Sequence, residues 1–324
     1  MFKTKITELF DIKYPILQGS MLWLSRAELV AAISNNGGLG VISSATFSTA
    51  EELRAEIRKT KSMTSNPFAV NLTILPTIQV INYEKYINVA IEEGVKIIET
   101  AGRSPEPYMK LLKDARIKTI HKVARVKDAK TAERIGVDAV TIVGIEAAGH
   151  LGMDNVTSLV LIPIAVGVLK IPVIAGGGIG DAKGLVAALA LGAEGVVMGT
   201  RFMVSQECVM HSQIKQILID SAETDTILIE RSINNTARVI KADYSQKIQE
   251  LEKQGTTLEE LLWRISSLRS KQALEQGDIN AGIIHCGQVV GMINEAPTVK
   301  EIIDGIIGQT RLIGQRLISI GILT

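Results

Sequence analysis

The chain has 324 residues, 46% of them hydrophobic, and a formal net charge of +1 with acids and bases interspersed. That size and apolar content suit one barrel with an added element, or two ordinary domains, around a sizeable core. The charge balance gives no basis for a nucleic-acid partner or a polybasic membrane surface, and two cysteines, Cys208 and Cys286, make neither a disulfide framework nor a metal-ligand pattern. No apolar stretch follows the lysines of Met1–Glu8, so no signal peptide is expected. The most apolar run, Leu159–Leu169, contains Pro163 and is too short for a membrane span. A reduced, cytoplasmic setting is the expectation.

In chain order, the strand candidates are Pro15–Gln18, Gly38–Ser43, Phe68–Leu75, Val95–Ala101, Ile117–Val123, Ala139–Gly144, Ile171–Gly176 and Gly195–Gly199. Helical patterns separate them at Arg26–Asn35, Ala50–Lys61, Tyr83–Glu93, Pro105–Asp114, Lys127–Ile135, Thr157–Leu169 and Asp181–Leu191. Strict βα alternation with near-continuous apolar strands predicts a parallel sheet covered on both faces. Eight repeats favour closure into a (β/α)8 TIM barrel. Residues 211–277 then read as helical and charged, with amphipathic segments at Ile248–Lys253 and Leu258–Leu274 and no strand alternation. They are expected to form a small helical domain inserted after strand 8 of a barrel spanning 1–210 and 278–324. Thr298–Ile322 reads as a closing helix or pair of helices, whose apolar character leaves a homodimer open.

Two glycine-bearing strand ends, Gly176-Gly177-Gly178 and Gly199-Thr200, close the seventh and eighth strands. Bare backbone there lets N–H groups approach an anion, and in such barrels these two loops often hold a phosphate. Gly176–Gly180 lacks the dinucleotide-binding spacing, because Asp181 stands where its last glycine belongs. Polar residues at the other strand ends converge on the same mouth: Gln18-Gly19-Ser20-Met21, Asn71 and Thr73, Glu99, His121-Lys122, and Glu146 to Gly149-His150. His150 follows a glycine, and an imidazole there suits proton abstraction as well as a structural role. No second ligand at useful spacing makes it a metal site. Lys122, in an apolar strand, needs either Glu99 as a counter-charge or an anionic ligand. Asn71 serves either backbone groups or a substrate pocket, and Met21 and Leu22 either pack or wall that pocket. His121 should point away from Lys122 and be structural. His211 and His285 have no site context.

Pro15 to Met21, Asn71 to Thr73, His121-Lys122, Glu146 to His150, Ala175 to Gly178 and Met198 to Phe202 together resemble the nitronate monooxygenase (2-nitropropane dioxygenase) family, over nearly the whole chain. Thr236 to Val239 and Gln276 to Asp278 are similar to its bacterial NADH:quinone reductase branch. The resemblance implies FMN, with its phosphate on Gly176, Gly177, Gly178, Gly199 and Thr200. It implies Ser20, Met21 and Leu22 along the ring system, Thr73 and Lys122 in contact with it, and Gly149 and His150 facing it. His150 would be the base that takes the proton α to a nitro group, and O2 would then yield a carbonyl compound and nitrite. Ala148 stands where many members have a glycine, as in the quinone-reductase branch, where NAD(P)H would be the co-substrate and a quinone the acceptor. A flavin-free barrel for a phosphorylated metabolite and a catalytically silent scaffold are the competing classes.

Overall fold

Eight apolar runs of the chain become parallel strands in the computed structural model, which describes residues 2–74 and 81–322. They are β1 (Ile16–Gln18), β2 (Gly40–Ser43), β3 (Phe68–Ile74), β4 (Ile97–Gly102), β5 (Lys118–Val123), β6 (Ala139–Val143), β8 (Val173–Gly176) and β9 (Gly195–Met198); a two-residue strand, β7 (Gly149–His150), lies outside this sheet. Leu75, the expected end of the third strand, lies outside the described residues. Neighbours run β2-β3-β4-β5-β6-β8-β9-β1, all in parallel. The ring closes at a Leu17–Leu39 bridge, where Leu39 N–H donates to Ile16 O and Gln18 N–H to Leu39 O, each at 2.9 Å. This is the expected (β/α)8 barrel.

The two-residue period of a strand sorts its side chains between the barrel interior and the helical shell. Leu17, Val41, Ala69, Ile97, Ile120 and Ala139 fill the interior, together with Ile6 and Phe10 of the helix Lys5–Phe10. Their neighbours Ile16, Ile42, Val70, Ile98 and Val140 pack outward against the helices. Two residues further along the same inward rows stand Asn71, Glu99, Lys122 and Thr141. An apolar layer at the N-terminal end therefore supports a polar layer below the C-terminal mouth.

Residues Thr298–Ile322 resolve into one helix, Val299–Ser319, started by a Thr298–Glu301 capping box. Its buried face, Val299, Ile302, Ile303 and Ile306, follows the helical period, and the helix packs on Ala182–Ala190 and Ala27–Asn35. It thus covers the seam where the last and first βα units meet.

The segment 211–277 departs from the all-helical expectation. Strands β10 (Thr226–Ile229) and β11 (Ala237–Ile240) pair antiparallel, and β11 also pairs with β7. Each has four residues among charged neighbours, too few for alternation to stand out. The hairpin loop turns on Glu230 and Asn234, both at positive φ (63° and 56°). The expected Leu258–Leu274 helix is two helices, Leu258–Arg264 and Ser267–Gln276. Ile229, Ala237, Val239, Ile248 and Leu261 form a separate small core with Ile283.

Candidate active site

The polar layer is a connected network. Lys122 Nζ lies 3.6 Å from Glu99 Oε2, Asn71 Nδ2 donates to the same oxygen at 2.6 Å, and Thr73 Oγ1 donates to Asn71 Oδ1 at 2.8 Å. The Glu99 side chain is 2% exposed, and a carboxylate at that depth needs a counter-charge. Lys122 supplies it, while its own side chain keeps 24% exposure toward the mouth. Asn71, Thr73 and Lys122 are thus brought together through Glu99. Thr141 stands beside Lys122 in register, and its buried Oγ1 has no hydrogen-bond partner among the described residues. His121 faces the other way, as expected: it is buried, and its Nδ1 is 2.9 Å from Thr100 Oγ1.

The two glycine loops sit at adjacent strand ends. Gly177 and Gly178 follow β8 at φ of 97° and 69°, which turns the chain sharply at the mouth. A Cβ on Gly177 would lie 2.7 Å from Ser158 Oγ, which itself sits within 3.0 Å of the Gly176 and Gly177 carbonyls. The start of the helix Ser158–Val168 therefore pins this turn. Gly199 is different. Its φ of −99° suits any residue, and a Cβ there would meet nothing within 4 Å. The fold does not demand glycine at 199, and the bare backbone opens onto free space. Thr200 begins a short helical turn, and its hydroxyl accepts the Gly287 N–H at 3.0 Å. Gly19, directly after β1, donates to Met198 O at 2.9 Å and abuts Gly199. Ser20, Met21 and Leu22 follow, all partly buried, with Met21 N–H held by Ser25 Oγ at 2.8 Å. Trp23, at φ 69°, donates from Nε1 to Ser267 O at 2.9 Å and ties this loop to the 211–277 segment.

His150 belongs to the small sheet, paired with Ala237, rather than to the barrel sheet. The segment that leads into its strand is tied to the second glycine loop, since Gln288 N–H donates to Glu146 O at 3.0 Å and neighbouring Gly287 is held by Thr200. The His150 side chain is 41% exposed, and its Nε2 lies 3.4 Å from Oε2 of buried Glu230. The His285 ring sits 5.6 Å away, tilted by 49°. His285, expected to have no site context, is therefore part of this site. Burial pushes its imidazole down to about 4, which keeps it neutral at neutral pH. Burial likewise pushes the Cys286 thiol up to about 12, so no thiolate nucleophile forms there. Among the described residues no cluster of three or more His, Cys, Asp or Glu side chains could hold a metal ion. Glu230 and His285 carry no local motif; each reaches His150 through the β7–β11 pairing and the Val239–His285 bridge.

The sequence profile of the family described as nitronate monooxygenase matches residues 3–309. The chain belongs to the nitronate monooxygenase family. A probable nitronate monooxygenase of Staphylococcus aureus (strain JH9) is 33% identical, over 77% of this chain and 81% of that protein. A (3aS,4S,5R,7aS)-5-hydroxy-7a-methyl-1-oxo-octahydro-1H-indene-4-carboxyl-CoA dehydrogenase of Rhodococcus jostii (strain RHA1) is 31% identical, over 94% of this chain and 95% of that protein. Among solved structures, FabK from Thermotoga maritima superposes with a TM-score of 0.92 at 34% identity, covering 98% and 99% of the two chains. Membership makes the protein an oxidoreductase and supports a flavin as its cofactor. The mouth fits such a group: it has an orphaned buried hydroxyl at Thr141, a bare backbone facing open space at Gly199, and a cation at Lys122. No described helix is long and apolar enough to cross a membrane.

Proposed function

We propose that this protein is an FMN-dependent oxidoreductase of the nitronate monooxygenase type, oxidising alkyl nitronates or nitroalkanes with O2 to a carbonyl compound and nitrite. The observation that carries the reading is His150, 41% exposed, with a buried carboxylate 3.4 Å from its Nε2. That is the arrangement of an imidazole set to take a proton from a carbon acid. Gly176, Gly177, Gly178, Gly199 and Thr200 would hold the FMN phosphate. Ser20, Met21 and Leu22 would lie along its ring system, with Thr73 and Lys122 in contact. FMN supplies a two-electron acceptor that oxygen can turn over. Lys122 favours negative charge on its side of the mouth, and Asn71 fixes the Glu99 carboxylate that holds Lys122 in place. Gly149, at φ 73°, lets the chain turn so that His150 is presented from β7. Residues 211–277 are a unit added to the barrel of 1–210 and 278–324, and through Trp23 and His150 they border the mouth.

The similarity to the Rhodococcus dehydrogenase, whose name specifies a carboxyl-CoA, favours a second substrate class, an acyl thioester. Its α-proton is acidified by a carbonyl as that of a nitroalkane is by the nitro group, so His150 would serve in the same role. Purified protein is expected to be yellow and to release FMN on denaturation. Mixed without oxygen, propyl-2-nitronate should bleach the flavin. Bleaching by NADH and not by the nitronate would move the reading to an NAD(P)H:quinone reductase. His150→Asn should keep FMN and lose turnover of neutral nitroalkanes; unchanged turnover would remove His150 as the base.

A further inference from the structure

We propose that Glu230 is the positioning residue for His150: it holds the imidazole with the Nε2 proton toward its carboxylate and leaves Nδ1 as the nitrogen that meets substrate. The inference rests on the reading of His150 as the base.

Glu230 reaches this position through the β10–β11 hairpin, whose second strand pairs with the two residues of β7. Its side chain is 2% exposed, and its Oε2 lies 3.4 Å from His150 Nε2. Asn235 Nδ2 donates to that same oxygen at 2.6 Å, fixing the carboxylate from within the loop. Among the described residues, no lysine or arginine pairs with Glu230; neighbouring Arg231 turns to Asn155 Oδ1 at 3.2 Å. An ionised carboxylate only accepts hydrogen bonds, so a ring nitrogen facing it is the one that carries the proton. In a neutral imidazole the other nitrogen then holds the lone pair, and the tautomer is chosen by the residue behind the ring.

The loop is built to keep the carboxylate there. Glu230 adopts φ 63°, an uncommon left-handed conformation for a side chain of its length, and Asn235 N–H closes the turn on Glu230 O at 3.0 Å. Glu252, from the helix Asp243–Gln254, accepts Glu230 N–H at 2.8 Å and Ser232 N–H at 2.9 Å. His285, partly buried, sets its ring 5.6 Å from the His150 ring. An uncommon backbone conformation held by three separate contacts, with its carboxylate 3.4 Å from the exposed His150 ring, points to orientation of that histidine.

Nitrogen-15 NMR of flavin-loaded protein with labelled histidine, assigned by comparison with His150→Asn, reads the tautomer directly. The neutral His150 ring should carry its proton on Nε2 in the wild type. In Glu230→Ala, and in Glu230→Asn, whose side chain tolerates the left-handed backbone, it should become a mixture of both forms. Turnover of neutral nitroalkane should fall roughly 10- to 100-fold in both variants, in line with the loss of a residue that orients a reactive imidazole. Oxidation of preformed nitronate, which needs no proton abstraction, should stay within about twofold. Glu230→Asp should fall between the wild type and Ala. An Nδ1-protonated ring in the wild type overturns the proposal, and that measurement needs no Glu230 variant to fold. So does an unchanged tautomer, or unchanged neutral-substrate turnover, in the variants while His150→Asn is inactive. Full activity of His150→Asn on neutral nitroalkane would instead remove the base reading itself.

Discussion

Lys122 pairs with Glu99 and is proposed to face the cofactor, and a second substitution at Glu99 separates the two roles. In Lys122→Met the Glu99 carboxylate, 2% exposed, keeps Asn71 and loses its counter-charge. Breaking a buried pair by removing one partner costs about 3–5 kcal/mol. Because the lysine side chain is about one-quarter exposed, roughly 2–4 kcal/mol is the appropriate range here. At about 2.1 cal/mol/K of unfolding entropy per residue, a chain of 324 residues should lose roughly 3–6 °C in Tm. In the double variant Lys122→Met/Glu99→Gln no charge is left unpaired, and the Gln amide still offers an oxygen to Asn71. Most of the lost stability should return. Under the proposed placement of Lys122 at the flavin, turnover should not return, because that cation is still missing. Thermal melts of the flavin-loaded single and double variants, with steady-state kinetics on the same samples, test both halves. A double variant no more stable than Lys122→Met would refute the counter-charge assignment. A stable, fully active double variant would refute a role for Lys122 toward the cofactor.

Acid sensitivity should follow from His121, whose imidazole is pushed down by burial to about 4 despite its contact with Thr100. Between the unfolded value near 6.5 and about 4, the unfolded chain binds the proton and the native chain does not, so stability falls as pH drops through that window. The lowering corresponds to about 3 kcal/mol, and His121→Gln should show a shallower loss of stability from pH 6.5 to 4 in urea melts. A slope equal to that of the wild type would show that His121 is not buried neutral. Gly177→Asp should weaken FMN binding, because its Cβ meets Ser158 Oγ at 2.7 Å, the backbone is at φ 97°, and the new carboxylate repels a phosphate. Full flavin occupancy after dialysis would refute the placement of the phosphate at this loop.

The barrel could be read from the chain because each of its repeats is long enough to show a period and is punctuated by glycine, asparagine or aspartate. The inward rows were legible too. Residues 69, 97, 120 and 139 are apolar, and two positions on come Asn71, Glu99, Lys122 and Thr141, a spacing that puts the polar group on one face at one level. The small sheet was not legible, because a four-residue strand has too few turns of its pattern to compete with the helices around it. Its loss hid the more consequential fact. A histidine's chemistry is decided by what stands behind its ring, and here that residue comes from a hairpin far along the chain. Only the pairing of β11 with Gly149 and His150 makes Glu230 a neighbour at all. His211 shows the converse. Its Nδ1 accepts Gln213 N–H at 3.2 Å as a helix cap, a local role that needs no distant element. What a sequence conceals at such a site is therefore not the candidate base but its partner, because the partner's identity depends on a strand register that local composition does not determine.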